Sequence, residues 1–194
     1  MATTELHEIE KEAQRVVRKA PNLDPPIQVE EIIKVSWPKV HIGAADLGDY
    51  HGALVTEGGR AAMYVSQKAS TEHRNLILAH LTWHWVRHAL RGQIDITRQC
   101  LVHVTRPEEP QAAPERDADV FAAELLVPLE VLEKYIDFLP EAQSENDKKI
   151  IAGRTVDLAR RFAVPVEVMK ARLTLFSARR RSFKPKGWTD KKPI

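Results

Sequence analysis

The stretch "NLILAHLTWHWVRHAL" (residues 75–90) carries three histidines at a spacing of four: His80, His84 and His88. On an α-helix, residues four apart share a face, with Cβ atoms about 5–6 Å apart. His80 and His84 can therefore offer imidazole nitrogens to one cation, and H-x-x-x-H on a helix is the usual first half of a zinc site. A helix turns about 100° per residue, so position 88 has drifted roughly 80° from position 80. That suits His88 to a supporting place rather than to the ion itself. Two histidines do not complete a zinc shell, and a third protein ligand has to come from elsewhere in the chain. In a hydrolytic H-E-x-x-H helix, the residue after the first histidine is a glutamate that takes a proton from the metal-bound water. Here it is Leu81. With Leu78, Trp85 and Ala89 it forms an i, i+3, i+7, i+11 stripe, an apolar face expected to pack. A histidine pair at this spacing also arises by chance in ordinary cores and surfaces, so its surroundings decide its meaning.

The elements that position this helix can be read from periodicity and punctuation. Residues 4–19 place Leu6, Ile9, Ala13, Val16 and Val17 at helical spacing, and "APNLDPP" stops the pattern. "IQVEEIIKV" reads as a short helix whose apolar face is Val29, Ile32 and Ile33. Residues 39–67 read as two or three strands with turns at Gly48-Asp49 and Gly58-Gly59. Ser70 or Thr71 caps a helix running from about 72 to 90 and ending near Gly92. "QIDITRQCLVHV" is strand-like, and "TRPEEPQAAPE" is a loop. "ERDADVFAAELLVP" is a second strong helix stopped by Pro128, and "PLEVLEKYIDF" is a shorter one. A polar linker, "EAQSENDKK", leads to two helices split at "FAVP".

At 194 residues and 43% hydrophobic content the chain can build a real core. It contains no apolar run long enough to cross a membrane, and "MATTELHEIEKEAQ" lacks the basic start and apolar centre of a signal peptide. A cytoplasmic protein without membrane contact is the expectation. The single cysteine, Cys100, excludes thiolate-rich zinc sites and reads as a buried structural thiol. Net charge is +2, but "ARRRSFKPKGWTDKKPI" at the C-terminus holds seven Lys or Arg against one Asp. Such a tail is either a solvated end or a contact for nucleic acid or an acidic partner.

The order of these features resembles the ImmA/IrrE family of bacterial and phage metallo-endopeptidases over roughly residues 5–176. The histidine line "RNLILAHLTWHWVRH" follows the family's R-x-x-x-A-H-E-L-G-H-x-x-x-H at Arg74, Ala79, His80, His84 and His88. "ERDADVFAAELLVP" follows E-x-x-A-N-x-F-A-A-x-L-L-M-P at Glu115, Ala118, Phe121, Ala122, Ala123, Leu125, Leu126 and Pro128. "LARRFAVPVEVMKARL" is similar to the family's closing segment. The resemblance implies an α+β, zincin-like metallopeptidase domain, mostly helical with a small β-sheet, over residues 1–176, followed by a basic tail over 177–194. It implies zinc as cofactor and His80, His84 and Glu115 as its ligands. A His₂Glu shell with an open fourth position is a recognised catalytic arrangement. A first-turn carboxylate favoured by the helix dipole is the plainer reading of Glu115.

The departures from the family pattern cluster at the chemistry. Leu81 stands in place of the general base, Thr82 in place of a leucine and Asp119 in place of an asparagine. Trp83 replaces a glycine, which adds bulk beside the site and is expected to narrow the substrate cleft. Loss of a positioned base costs about 10²–10⁴ in rate. Nothing in the spacing brings Glu108 or Glu109 in as a replacement. The resulting expectation is a pseudo-enzyme whose peptidase activity is lost or weak. It would bind or act on a regulatory partner such as a helix-turn-helix repressor or an antitoxin, in phage, stress or toxin–antitoxin regulation. One alternative is an active zinc endopeptidase that cleaves a repressor. Another is a DNA-binding protein that uses "TVDLARRFAVPVEVMKARL" and the basic tail.

Overall fold

The computed structural model describes residues 3–57, 60–89, 100–102, 113–136 and 145–182. Helix α1 (Thr3–Val17) buries Ile9, Ala13, Val16 and Val17, the face its periodicity predicts, and packs on α4. Helix α2 (Val29–Ser36) buries Val29, Ile32 and Ile33 completely, and packs on α3 and β1.

The sheet has four strands in the order β1-β3-β2-β4: β1 (Val40–Ala45), β2 (Gly52–Glu57), β3 (Arg60–Ser66) and β4 (Cys100–Val102). β1 lies parallel to β3, while β2 runs antiparallel to both β3 and β4. Three strands form between 39 and 67, where two or three were expected. Gly48 takes the positive φ its turn requires. Gly58 and Gly59 lie outside the described residues. The strand-like stretch 93–104 is described only at β4, where Cys100 sits.

Helix α3 (Thr71–His84) starts at Ser70, whose side chain accepts from the His73 N–H. Its interior departs from the amphipathic stripe expected around Leu81. Every residue from Ile77 to His84 is buried, because the sheet covers one side and α4 and α2 cover others. A helix buried all round shows no single apolar face. It also does not continue as an α-helix to residue 90. After His84 the chain forms a π-helical turn, Trp85–Ala89.

Helix α4 (Ala113–Leu126) ends before Pro128. It is followed by a short α5 (Leu129–Leu132) and a 3₁₀ turn, Glu133–Tyr135. Helix α6 (Glu145–Phe162) begins inside the segment read as a linker, and α7 (Val166–Ser182) runs past the expected start of the basic tail at 177. The "FAVP" break is a Schellman stop: Val164 N–H bonds Ala159 C=O at 3.0 Å and Ala163 N–H bonds Arg160 C=O at 3.1 Å. Ala163 holds φ 49° where glycine is more usual. Helix α7 packs on α4 around a fully buried ion pair, Arg172 Nη1 to Glu124 Oε2 at 2.6 Å. Arg172 Nε also donates to Val127 C=O at 2.9 Å, satisfying a carbonyl just beyond the end of α4. Among the described residues no helix is long and apolar enough to cross a membrane.

Candidate metal centre

The two helices that sequence spacing singled out pack against each other, and their polar residues meet at one point. Glu115 lies in the first turn of α4, where the helix dipole favours a carboxylate. Its Oε2 lies 3.1 Å from His80 Nε2, and its Oε1 lies 3.5 Å from His84 Nε2. The two imidazole Nε2 atoms are 3.1 Å apart. One ligand atom from each of His80, His84 and Glu115 falls within 4.8 Å of the others. Three donors of the type a divalent zinc ion takes, two of them buried, thus face a common centre, and the donor chemistry fits that ion.

A fourth residue orients the first. His80 Nδ1 lies 2.9 Å from Asp119 Oδ1. With Asp119 accepting from Nδ1–H, the lone pair of His80 sits on Nε2 and points at the centre. This is the carboxylate support common behind metal-binding histidines. Asp119 entered the sequence reading only as a departure from the family's asparagine. A signal for it was present: Glu115 and Asp119 are four apart and so share a face of α4.

The electrostatics agree with a cluster held together by charge. Burial opposes the charged form of His80, but hydrogen bonds and charge from Asp119 and Glu115 outweigh it and hold its pKa above the ordinary value. Burial alone would raise Glu115, but hydrogen bonds to His80 and His84 and their charge pull it down to about 2. Glu115 therefore stays a carboxylate and is ready to bind a cation.

Leu81 faces the sheet. It is wholly buried, and the Cβ position of Gly52 on β2 lies 3.4 Å from its Cδ1. The same position lies only 2.4 Å from Ile77 Cγ2, so α3 sits against β2 where the absence of a side chain makes room. Trp83 turns into the core and not toward an open cleft. It is 4% exposed, with its ring 5.3 Å from that of Phe121 on α4 and the Arg87 guanidinium over its face. The bulk at position 83 thus fills the α3–α4 interface. His88 lies on the π turn, and its side chain lies outside the described residues, as do Glu108 and Glu109. Arg74, the start of the histidine motif, pairs with Glu30 of α2 at 3.2 Å and ties α2 to α3.

Comparison with protein-family models matches residues 38–174, more than half of the chain, to the M78 peptidase family, described as the IrrE N-terminal-like domain. The chain belongs to this family. The match begins at Pro38, so α1 and α2 lie outside it, although both pack on the helices of the IrrE-like domain. Comparison with curated protein sequences finds no match. Among solved structures, a Mycobacterium tuberculosis transcriptional regulator shares the fold with a TM-score of 0.58 at 17% identity, covering 87% of this chain. This chain accounts for 46% of that regulator, so the IrrE-like chain spans less than half of its length.

Proposed function

We propose that this IrrE-like chain holds a zinc ion through His80, His84 and Glu115, that its peptidase activity is lost or weak, and that it acts in the cytoplasm by binding a regulatory protein. A helix-turn-helix repressor or antitoxin as partner is what the resemblance to the family implies, and a chain of the same fold is a transcriptional regulator. The observation that carries the loss of activity is Leu81, buried against Gly52 at the position that follows the first histidine ligand. A bound zinc ion would supply a Lewis acid and a more acidic water. The protein must still take a proton from that water, and both described carboxylates at the centre are engaged with the histidines. Both oxygens of Glu115 face histidines. Asp119 bonds the Nδ1 side of His80, across the ring from the ligand atom. Leu81 can accept no proton.

The test compares metal content by mass spectrometry in the wild type, His80→Ala and Glu115→Ala, and then mixes each with a repressor encoded beside the gene. We expect about one zinc per wild-type chain, little in either variant, and a stable complex without cleavage. Chelator-sensitive cleavage that His80→Ala abolishes would overturn the pseudo-enzyme reading in favour of an active endopeptidase.

A further inference from the structure

Among the described residues, the first strand of the sheet is an edge. β1 pairs only with β3 among the described residues, and no described strand lies on its other side. Which of its backbone groups face outward follows from parity. Ala45 C=O accepts from Gln67 N–H at 3.0 Å, so Ala45 points toward β3, and with it Gly43 and His41. Val40 N–H turns instead to Trp37 C=O at 2.8 Å, consistent with the even-numbered residues facing away from β3. The N–H and C=O groups of Ile42 and Ala44 are then left on the open side.

Sheet edges are usually guarded by lysine, proline or a bulge within the strand. "VHIGAA" has none of these, and its second half is Gly43, Ala44 and Ala45. Charges stand only at its ends. Lys39 precedes the strand, is exposed, and has no ion-pair partner among the described residues. Asp46 follows it and is also exposed, with Oδ1 accepting from Gly48 N–H. A recess of about 420 Å³ beside the first half of the strand is lined in part by Glu30, Lys34, Lys39, Val40 and Ile42; Lys34 already pairs with Glu30 and Glu31, which leaves Lys39 as its unpaired cation among the described residues.

We propose that β1 pairs antiparallel with β1 of a second copy of this chain, joining two four-stranded sheets into one across a two-fold axis at Gly43. In that register Ile42 of one copy faces Ala44 of the other, and these are the residues whose backbone groups point outward. Gly43 meets its own symmetry mate at a non-hydrogen-bonded pair, where strands approach most closely and the lack of a side chain helps. Val40 faces the partner copy's Asp46, which brings that carboxylate over the recess beside Lys39. The edge is self-complementary in parity, size and charge, as an isologous interface requires. A strand from an unrelated protein would need only the first of these.

Analytical ultracentrifugation of the full chain over a concentration series tests this. The wild type should sediment as a monomer–dimer equilibrium. Ala44→Pro removes an outward N–H without touching the β1–β3 ladder, as proline does on edge strands. It should yield a folded monomer with unchanged circular dichroism. Lys39→Asp should weaken dimerisation by roughly three- to thirtyfold through its two symmetry-related contacts. Adding Asp46→Lys to that variant should restore dimerisation, a readout that does not depend on how Ala44→Pro folds. A wild type that stays monomeric throughout overturns the proposal, as does a dimer insensitive to both the proline and the charge changes.

Discussion

Helix α4 carries a polar cluster at each end, and the two have opposite characters. At its start, Glu115 is 29% exposed and faces two imidazoles whose nitrogens converge on it. At its end, Glu124 is 1% exposed and faces the equally buried guanidinium of Arg172. Glu115 is held well below the ordinary carboxylate range, at about 2. Glu124 is pushed up, because burial outweighs the attraction of Arg172. The first cluster gathers electron-pair donors around a shared point. The second already contains its cation, bonds a backbone carbonyl, and joins α4 to α7. Glu10 and Arg179 form a further ion pair close enough to bias Glu124, which draws α1 into the same region. One carboxylate of α4 thus lies against two imidazoles at the candidate centre, and the other is bolted to a guanidinium in the core.

The sharpest way to break this contrast is Arg172→Ala. It leaves Glu124 buried without its partner, and denaturant titration should show a loss of about 3–5 kcal/mol. Metal binding per folded chain should be unchanged. Glu115→Gln should abolish tight metal binding by calorimetry, and because it removes the charge that His80 and His84 hold in place, it should also lower the metal-free midpoint above pH 4.5. Gly52→Ala puts a methyl group 2.4 Å from Ile77 Cγ2 and pushes α3 off β2. Overpacking of this kind costs about 1–3 kcal/mol, readable in the same titration. Asp119→Ala keeps His80, His84 and Glu115 but frees the His80 ring, and should weaken metal affinity about 10–100-fold.

The smallest effect is in pH dependence, and its sign separates the two carboxylates. Glu115 has its folded pKa lowered from 4.5 to about 2, so its contribution to the metal-free protein is present above pH 4.5 and lost as pH falls toward 2. Glu124 has its folded pKa raised from 4.5, so the folded state binds a proton more tightly and stability falls as pH rises through that range. His80 is raised from 6.5, so its contribution is full below that value and fades as pH rises above it. Thermal melts of the metal-free protein across pH 2–8 should lose the first component in Glu115→Gln and the second in Glu124→Gln.

Much of this was legible in sequence, for local reasons. The faces of α1 and α2, the Ser70 cap, the strand positions from Val40 to Ser66 and the break at Ala163 follow from periodicity and punctuation. The grouping of His80, His84 and Glu115, which the structure brings together, followed from motif order: His80 and His84 share a turn, and Glu115 opens a helix in the place the family's pattern gives its third ligand. What failed was inference about direction across helices. Trp83 was expected at the cleft because it replaces a glycine, yet it packs on Phe121, a residue 38 positions away. Leu81 was expected to pack with an apolar face, and it does, but α3 is buried on every side from Ile77 to His84, so that face is not set apart from the others.

The sequence by itself determined the elements, the donors and the absence of a base after His80, because each depends on residue type and spacing within a few turns of chain. Tertiary structure decided that Asp119 supports His80, that Leu81 closes against Gly52, that Glu124 serves packing and Glu115 does not, and that β1 is left as an edge. Each of these depends on which surfaces meet, and that is set by long-range packing that no local spacing encodes.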